Sequence, residues 1–156
     1  MTAKMVFASA TQVINTDSGI GNGAMAGGQT ILDNSSNLYP YATATLRILG
    51  TFASAPTAGS TIDLYMVRKG SGLASGGTAD DSEAPSGTNT RYAEYVGSFL
   101  VYALDEEQTR SITISLNGVK KAYFYIQNNS GVAISGAGSP YGATLVDIQP
   151  FSYQDA

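Results

Sequence analysis

Polar and apolar residues alternate over two stretches of the chain. Thr43, Thr45 and Arg47 alternate with Ala44, Leu46 and Ile48, and Asp63, Tyr65 and Val67 alternate with Ile62, Leu64 and Met66. A period of two marks a strand with one buried face. Between the two runs, Ala53 to Ser60 holds Pro56 and Gly59, residues that stop strands and turn the chain. The stretch reads as a β-meander piece whose buried faces need a second sheet.

The alternation returns at Ile112, Ile114 and Leu116 against Ser111, Thr113 and Ser115, followed by Asn117-Gly118 and a return from Val119 to Gln127. Both turn residues tolerate the positive φ of a type I′ turn, which predicts a hairpin here. Arg91 to Leu104 is rich in aromatic and β-branched residues and predicts a long strand, bent or bulged at Gly97. A weak strand around Val132 to Ile134 precedes a final one within Ala143 to Tyr153, which Pro150 should end. Short strands about every ten residues, about eight in all and with no long helix, predict an all-β antiparallel β-sandwich, jelly-roll-like; an up-and-down barrel is the alternative architecture. Its core should include Leu46, Ile48, Ile62, Leu64, Ile112, Ile114, Phe124 and Ile126.

The N-terminal part differs. MVFASATQVI could form a short strand, but Gly19 to Gly28, GIGNGAMAGG, offers little to bury. Residues 1–28 read as an extended arm ahead of a single β-sandwich domain, residues 29–156, with a long surface loop as the alternative. On the arm reading, Ile14, Ile20 and Met25 are its apolar contacts with a neighbouring subunit. Gly70 to Thr90 is a long polar, glycine-rich segment and is expected to be an exposed loop.

Composition narrows the chemistry. The chain of 156 residues has no cysteine and no histidine, which removes disulfides, thiolate ligands, cysteine nucleophiles and the commonest general base. Charged residues make up 13%, against about 25% in an ordinary soluble domain. A neutral surface is desolvated at little cost, so the chain reads as one that packs against copies of itself or a larger assembly. The net charge of −4 argues against nucleic acid as partner. No apolar run has the length of a signal-peptide core or a membrane helix, so the expectation is a product made in the cytoplasm with no membrane partner.

The acids give no site. Asp80, Asp81 and Glu83 could in principle ligate calcium but lack EF-hand spacing, and Asp105, Glu106 and Glu107 read as a hydrophilic connection. Asp63, Glu94 and Asp147 are the acids inside predicted strands, with no common context that would suggest a catalytic pair. The expectation is no enzyme, cofactor or metal. Tyr123 and Tyr125 alternate with Ala122, Phe124 and Ile126, so with Phe124 in the core they should stand outward side by side, as a protein interface or a sugar platform; the alternative is that both faces of the strand are covered within a two-sheet sandwich.

DNSSNLYPYATATLRILGTFASAPTAGSTIDLYMVRK, residues 33–69, with YVGSF at Tyr95 to Phe99, resembles a group of small virion structural proteins of tailed bacteriophages. KKAYFYIQNNSG, Lys120 to Gly131, is similar in setting a strand before an Asn-rich turn. Gly19 to Gly28 and Gly70 to Thr90 depart from that pattern. The resemblance implies a virion location and a role in head decoration, capsid cementing or a tail or fibre part, and transfers no functional residue. The expected partners are the major capsid protein and copies of the chain, as a trimer or other small cluster. A carbohydrate-binding β-sandwich is the expectation from a different class.

Overall fold

The computed structural model describes residues 3–28, 30–69, 93–136 and 143–155. They hold ten strands and no helix: β1 Ala3–Phe7, β2 Thr11–Thr16, β3 Met25–Gly27, β4 Leu32–Asp33, β5 Tyr41–Ile48, β6 Thr61–Arg68, β7 Glu94–Leu100, β8 Gln108–Ser115, β9 Lys121–Asn129 and β10 Thr144–Asp155. All pairings are antiparallel. β1 and β2 run end to end along one edge of β10, and β3 and β4 do the same along β9.

Taking each broken strand as one gives eight, with sheet orders 1-8-3-6 and 2-7-4-5. First pairs with last, second with second-last, and so inward, as in a long hairpin wrapped into two facing sheets. That is the jelly roll. The wrapping explains two departures from the sequence reading. β5 and β6 do not form a meander: the Ala53 to Ser60 connection carries the chain from one sheet to the other. Nor is Asn117-Gly118 a hairpin turn, because β8 pairs with β5 and β9 with β6. The Val119 amide donates to the Leu116 carbonyl at 2.8 Å, and of the two central residues only Gly118 takes a positive φ, 73°. A type I′ turn needs both.

The inner faces follow the period of two. Leu46, Ile48, Ile62, Leu64, Ile114, Phe124 and Ile126 are buried as expected, while Ile112 is half-buried because β8 ends its sheet. Asn128, fully buried, clips one end: its Nδ2 donates to the carbonyls of Ile20 and Val132 at 2.9 and 2.8 Å.

Residues 3–28 are not an arm. β1 and β2 hydrogen-bond to β10, β3 hydrogen-bonds to β9, and Ile14 and Ile20 are core residues beside Val13. Met25 lies half-buried opposite Gln127. Two of the glycines serve close approach: Gly19 lies against the backbone of Ile134 and Gly136, and a Cβ on Gly28 would collide with the Val13 carbonyl oxygen.

Pro150 does not end β10 but lies within it, opposite Ala42. Prolines are normally kept out of central strands by their missing N–H. Here the gap faces residues 8–10, where β1 gives way to β2. The Ala8 amide donates to the Pro150 carbonyl at 2.8 Å, and the Ala8 carbonyl, which an amide at position 150 would have satisfied, accepts from Gln149 Nε2 at 3.2 Å. The strand continues, and with it Phe151 and Tyr153 join the outer face.

Candidate functional site: aromatic surfaces on the two sheets

Register builds the first surface. On the outer face of the β1–β10–β5 sheet, Phe7, Phe151 and Tyr41 are direct cross-strand neighbours, and Met5 lies opposite Tyr153. Phe151 is at the centre, its ring 5.7 Å from Phe7, 5.7 Å from Tyr41 and 5.8 Å from Tyr153, and Tyr41 and Tyr153 meet edge-on at 6.1 Å. Phe151 is covered by the others. Met5, Phe7, Tyr41 and Tyr153 are exposed, Tyr153 by 58%. Beyond the cluster the face turns to Thr43, Thr45, Ser111 and Thr113, with Thr45 Oγ1 and Ser111 Oγ 2.9 Å apart, and then to an Arg47–Asp147 ion pair at 2.6 Å. The aromatic rings of this face favour burial, and its hydroxyls dehydrate at lower cost than charges would where they keep hydrogen-bond partners, as Thr45 and Ser111 do with each other.

The second surface is on the outer face of the β9–β6–β7 sheet. Tyr123 and Tyr125 do face outward, but they are buried, at 8% and 1% exposure, which corrects the expectation of an exposed pair. β9 is an inner strand, so side chains from its neighbours close over it. Tyr65 stacks flat on Tyr125 at 5.4 Å, Tyr95 meets Tyr65 edge-on at 5.8 Å, and Lys69 Nζ lies 6.0 Å from the Tyr123 ring centre. Burial raises the phenol pKa of Tyr65 and Tyr125, helped by Asp63 for Tyr65 and by Tyr65 for Tyr125. The exposed tyrosine here is Tyr95, at 58%. Its hydroxyl lies 2.7 Å from Ser98 Oγ, which donates to Asp63 Oδ1 at 2.5 Å, while Asn129 Nδ2 donates to Asp63 Oδ2 at 2.7 Å.

The three strand acids are not brought together. Asp147 belongs to the first sheet, Asp63 to the Tyr95 network on the second, and Glu94 pairs with Arg68 at 3.0 Å. Asp105, Glu106 and Glu107 are exposed between β7 and β8. Asp80, Asp81, Glu83 and the expected loop of residues 70–90 lie outside the described residues. A groove of about 300 Å³ opens at the β1/β2 break, lined among others by Ser9, Thr11, Asp33, Asn37 and Tyr39. Two bonds from Ser35, its hydroxyl and its amide, hold Asp33 well below the usual carboxylate range, with Lys121 adding to the effect.

Met5, Phe7, Tyr41 and Tyr153 were missed in the sequence because they lie on three strands far apart in the chain. The legible signal was the alternation Phe151, Tyr153, which a strand continued past Pro150 would have placed on one face with Phe7. Compared with known proteins, the chain matches no protein-family model and no curated protein.

Proposed function

We propose that the chain is a structural protein of a phage particle, a decoration or cement protein that binds the outside of the head through contacts with the major capsid protein and with copies of itself. The observation that carries this reading is the exposed cluster Met5, Phe7, Tyr41 and Tyr153, set beside a stretch of threonine and serine hydroxyls on the same face. A contiguous apolar patch of this kind marks an interaction site, and aromatic residues add contact area at low entropic cost. Resemblance in residues 33–69 and 95–99 supports the particle assignment. Repetition over a symmetric shell lets modest single contacts suffice. Placement in a tail or fibre is the alternative within the same reading.

The test adds the full chain to particles prepared without it and locates it by electron cryomicroscopy. Density on the head, and occupancy lost with Tyr41→Ser and Tyr153→Ser but kept with Thr43→Ser, is the expected result. Full occupancy by the tyrosine variants would overturn it, and density confined to the tail would replace the head assignment with the tail or fibre alternative. A glycan-binding reading is favoured by one feature, the exposed Tyr95 ring beside the Asp63–Asn129 pair; glycan-array binding lost with Tyr95→Ala would support it.

A further inference from the structure

Each sheet has two edges, and three of the four are interrupted. The β1/β2 edge breaks at residues 8–10 and shifts register opposite Val146/Asp147; the β3/β4 edge breaks between Gly27 and Leu32; β7 carries a bulge between the Leu64–Gly97 and Tyr65–Tyr95 pairs. β8 alone keeps one register throughout, from Gln108 against Ile48 to Ser115 against Tyr41. Proteins that stay single blunt their edges with bulges, charged side chains (lysine above all) or prolines. β8, QTRSITIS, has no bulge, lysine or proline, and its one charge, Arg110, is turned inward to the Leu100 carbonyl rather than out over the open edge.

The direction of its free groups follows from one bond. The Leu116 amide donates to the Pro40 carbonyl at 2.8 Å, continuing the β5–β8 register. By the alternation of an antiparallel ladder, the even-numbered residues of β8 bond to β5. Thr109, Ser111, Thr113 and Ser115 therefore turn their N–H and C=O groups to the open edge, where no described strand pairs with them. The side chains of these same residues are exposed, small and uncharged.

We infer that β8 pairs antiparallel with β8 of a second copy across a two-fold axis at Ile112, joining two sheets into one. The inference deepens the assembly reading and rests on it for the choice of a like partner. Around that axis Thr109 falls opposite the partner's Ser115, and Ser111 opposite the partner's Thr113. Every outward amide and carbonyl finds its complement, and the cross-strand pairs are Ser–Thr pairs, which are favourable. Ile112, half-exposed in the single chain, meets the partner's Ile112. Arg110, the one charge on the strand, falls opposite the partner's Ile114 rather than another charge. Its guanidinium is already held at home, with Nε donating to the Leu100 carbonyl at 2.8 Å and the group 3.3 Å from the Tyr102 ring centre.

Sedimentation equilibrium on the full chain reads the seam, whereas particle occupancy reads the assembly proposal, so the two can fail separately. The expected result is a dimer whose dissociation constant rises at least tenfold with Ser111→Lys and with Thr113→Pro, the latter removing an outward N–H and leaving the β5 ladder intact. Thr43→Lys, on the same face but away from the edge, should dimerise like the parent. Hydrogen exchange gives a second readout: the amides of Ser111, Thr113 and Ser115 should lose protection on dilution, while those of Ile112 and Ile114 keep it. A chain that stays monomeric, a dimer indifferent to Ser111→Lys, or edge amides protected at every concentration would each overturn the inference. So would a dimer dispersed instead by Tyr41→Ser, which would put the contact on the aromatic cluster.

Discussion

The ring of Tyr65 lies on that of Tyr125 with centroids 5.4 Å apart and planes 10° from parallel, yet the two hydroxyls fare differently. Tyr65 donates to Gln127 Oε1 at 3.2 Å, whereas the buried Tyr125 hydroxyl has no partner among the described residues. An unpaired buried hydroxyl costs about 1–3 kcal/mol. Tyr125→Phe should therefore match or exceed the parent in stability, while Tyr65→Phe should lose about 1 kcal/mol and Tyr125→Ala about 3–5 kcal/mol, measured by urea unfolding.

The same pair sets a response to alkali. Both phenols have pKa values raised above 10.0 in the folded protein, so the folded state holds their protons more tightly than the unfolded chain does. Their contribution to stability is complete below the unfolded value and is lost as pH rises through the folded one. Stability should fall above about pH 10, the ordinary tyrosine value. Urea midpoints taken across that range should fall less in a Tyr65→Phe, Tyr125→Phe double variant.

Two glycines should respond differently to alanine. At Gly28 the new Cβ meets the backbone of Val13, which cannot move without breaking β2 from the core, so Gly28→Ala should unfold the protein or detach β3. At Gly97 it meets Ile112 Cδ1 at 2.6 Å, the end of a half-buried side chain. Gly97→Ala should cost less, and Ile112→Val, which deletes that methyl, should restore part of the loss. A double-mutant cycle on unfolding free energy checks both.

Burial separates neighbours on β8. Ile114 is packed in the core and Ile112 is half-exposed. Ile114→Ala should cost about 2–5 kcal/mol and Ile112→Ala clearly less, with Thr113→Asp mild because Thr113 faces solvent. Thermal melts of the three variants give the comparison.

Strand positions and inward faces were legible because period-two alternation is local. Which strands pair was not, since the jelly roll joins elements by the whole path of the chain. Asn117-Gly118 shows the limit: the dipeptide does mark a turn, but nothing near it says that β8 and β9 belong to different sheets. The buried state of Tyr123 and Tyr125 was hidden for the same reason, because Tyr65, which covers Tyr125, comes from β6. Glycine content misled at residues 19–28, where Gly19 and Gly28 admit close backbone neighbours and Gly23 takes a positive φ within an ordered connection. Deleting residues 2–27, which would be harmless for an arm, should abolish folding by removing Val13 and Ile14 from the core; circular dichroism would report it.

Ala8 and Gln149 touch although 141 residues separate them in the chain. β1 and β2, made before the other eight strands, therefore wait for β10, the last of the ten, before the ladders that hold them among the described residues can form. Contacts this distant slow folding. During that interval Met5 and Phe7 travel on an unpaired, strand-forming segment. The hazard of aggregation thus falls on the nascent chain, and a translational pause anywhere between β2 and β10 would lengthen it.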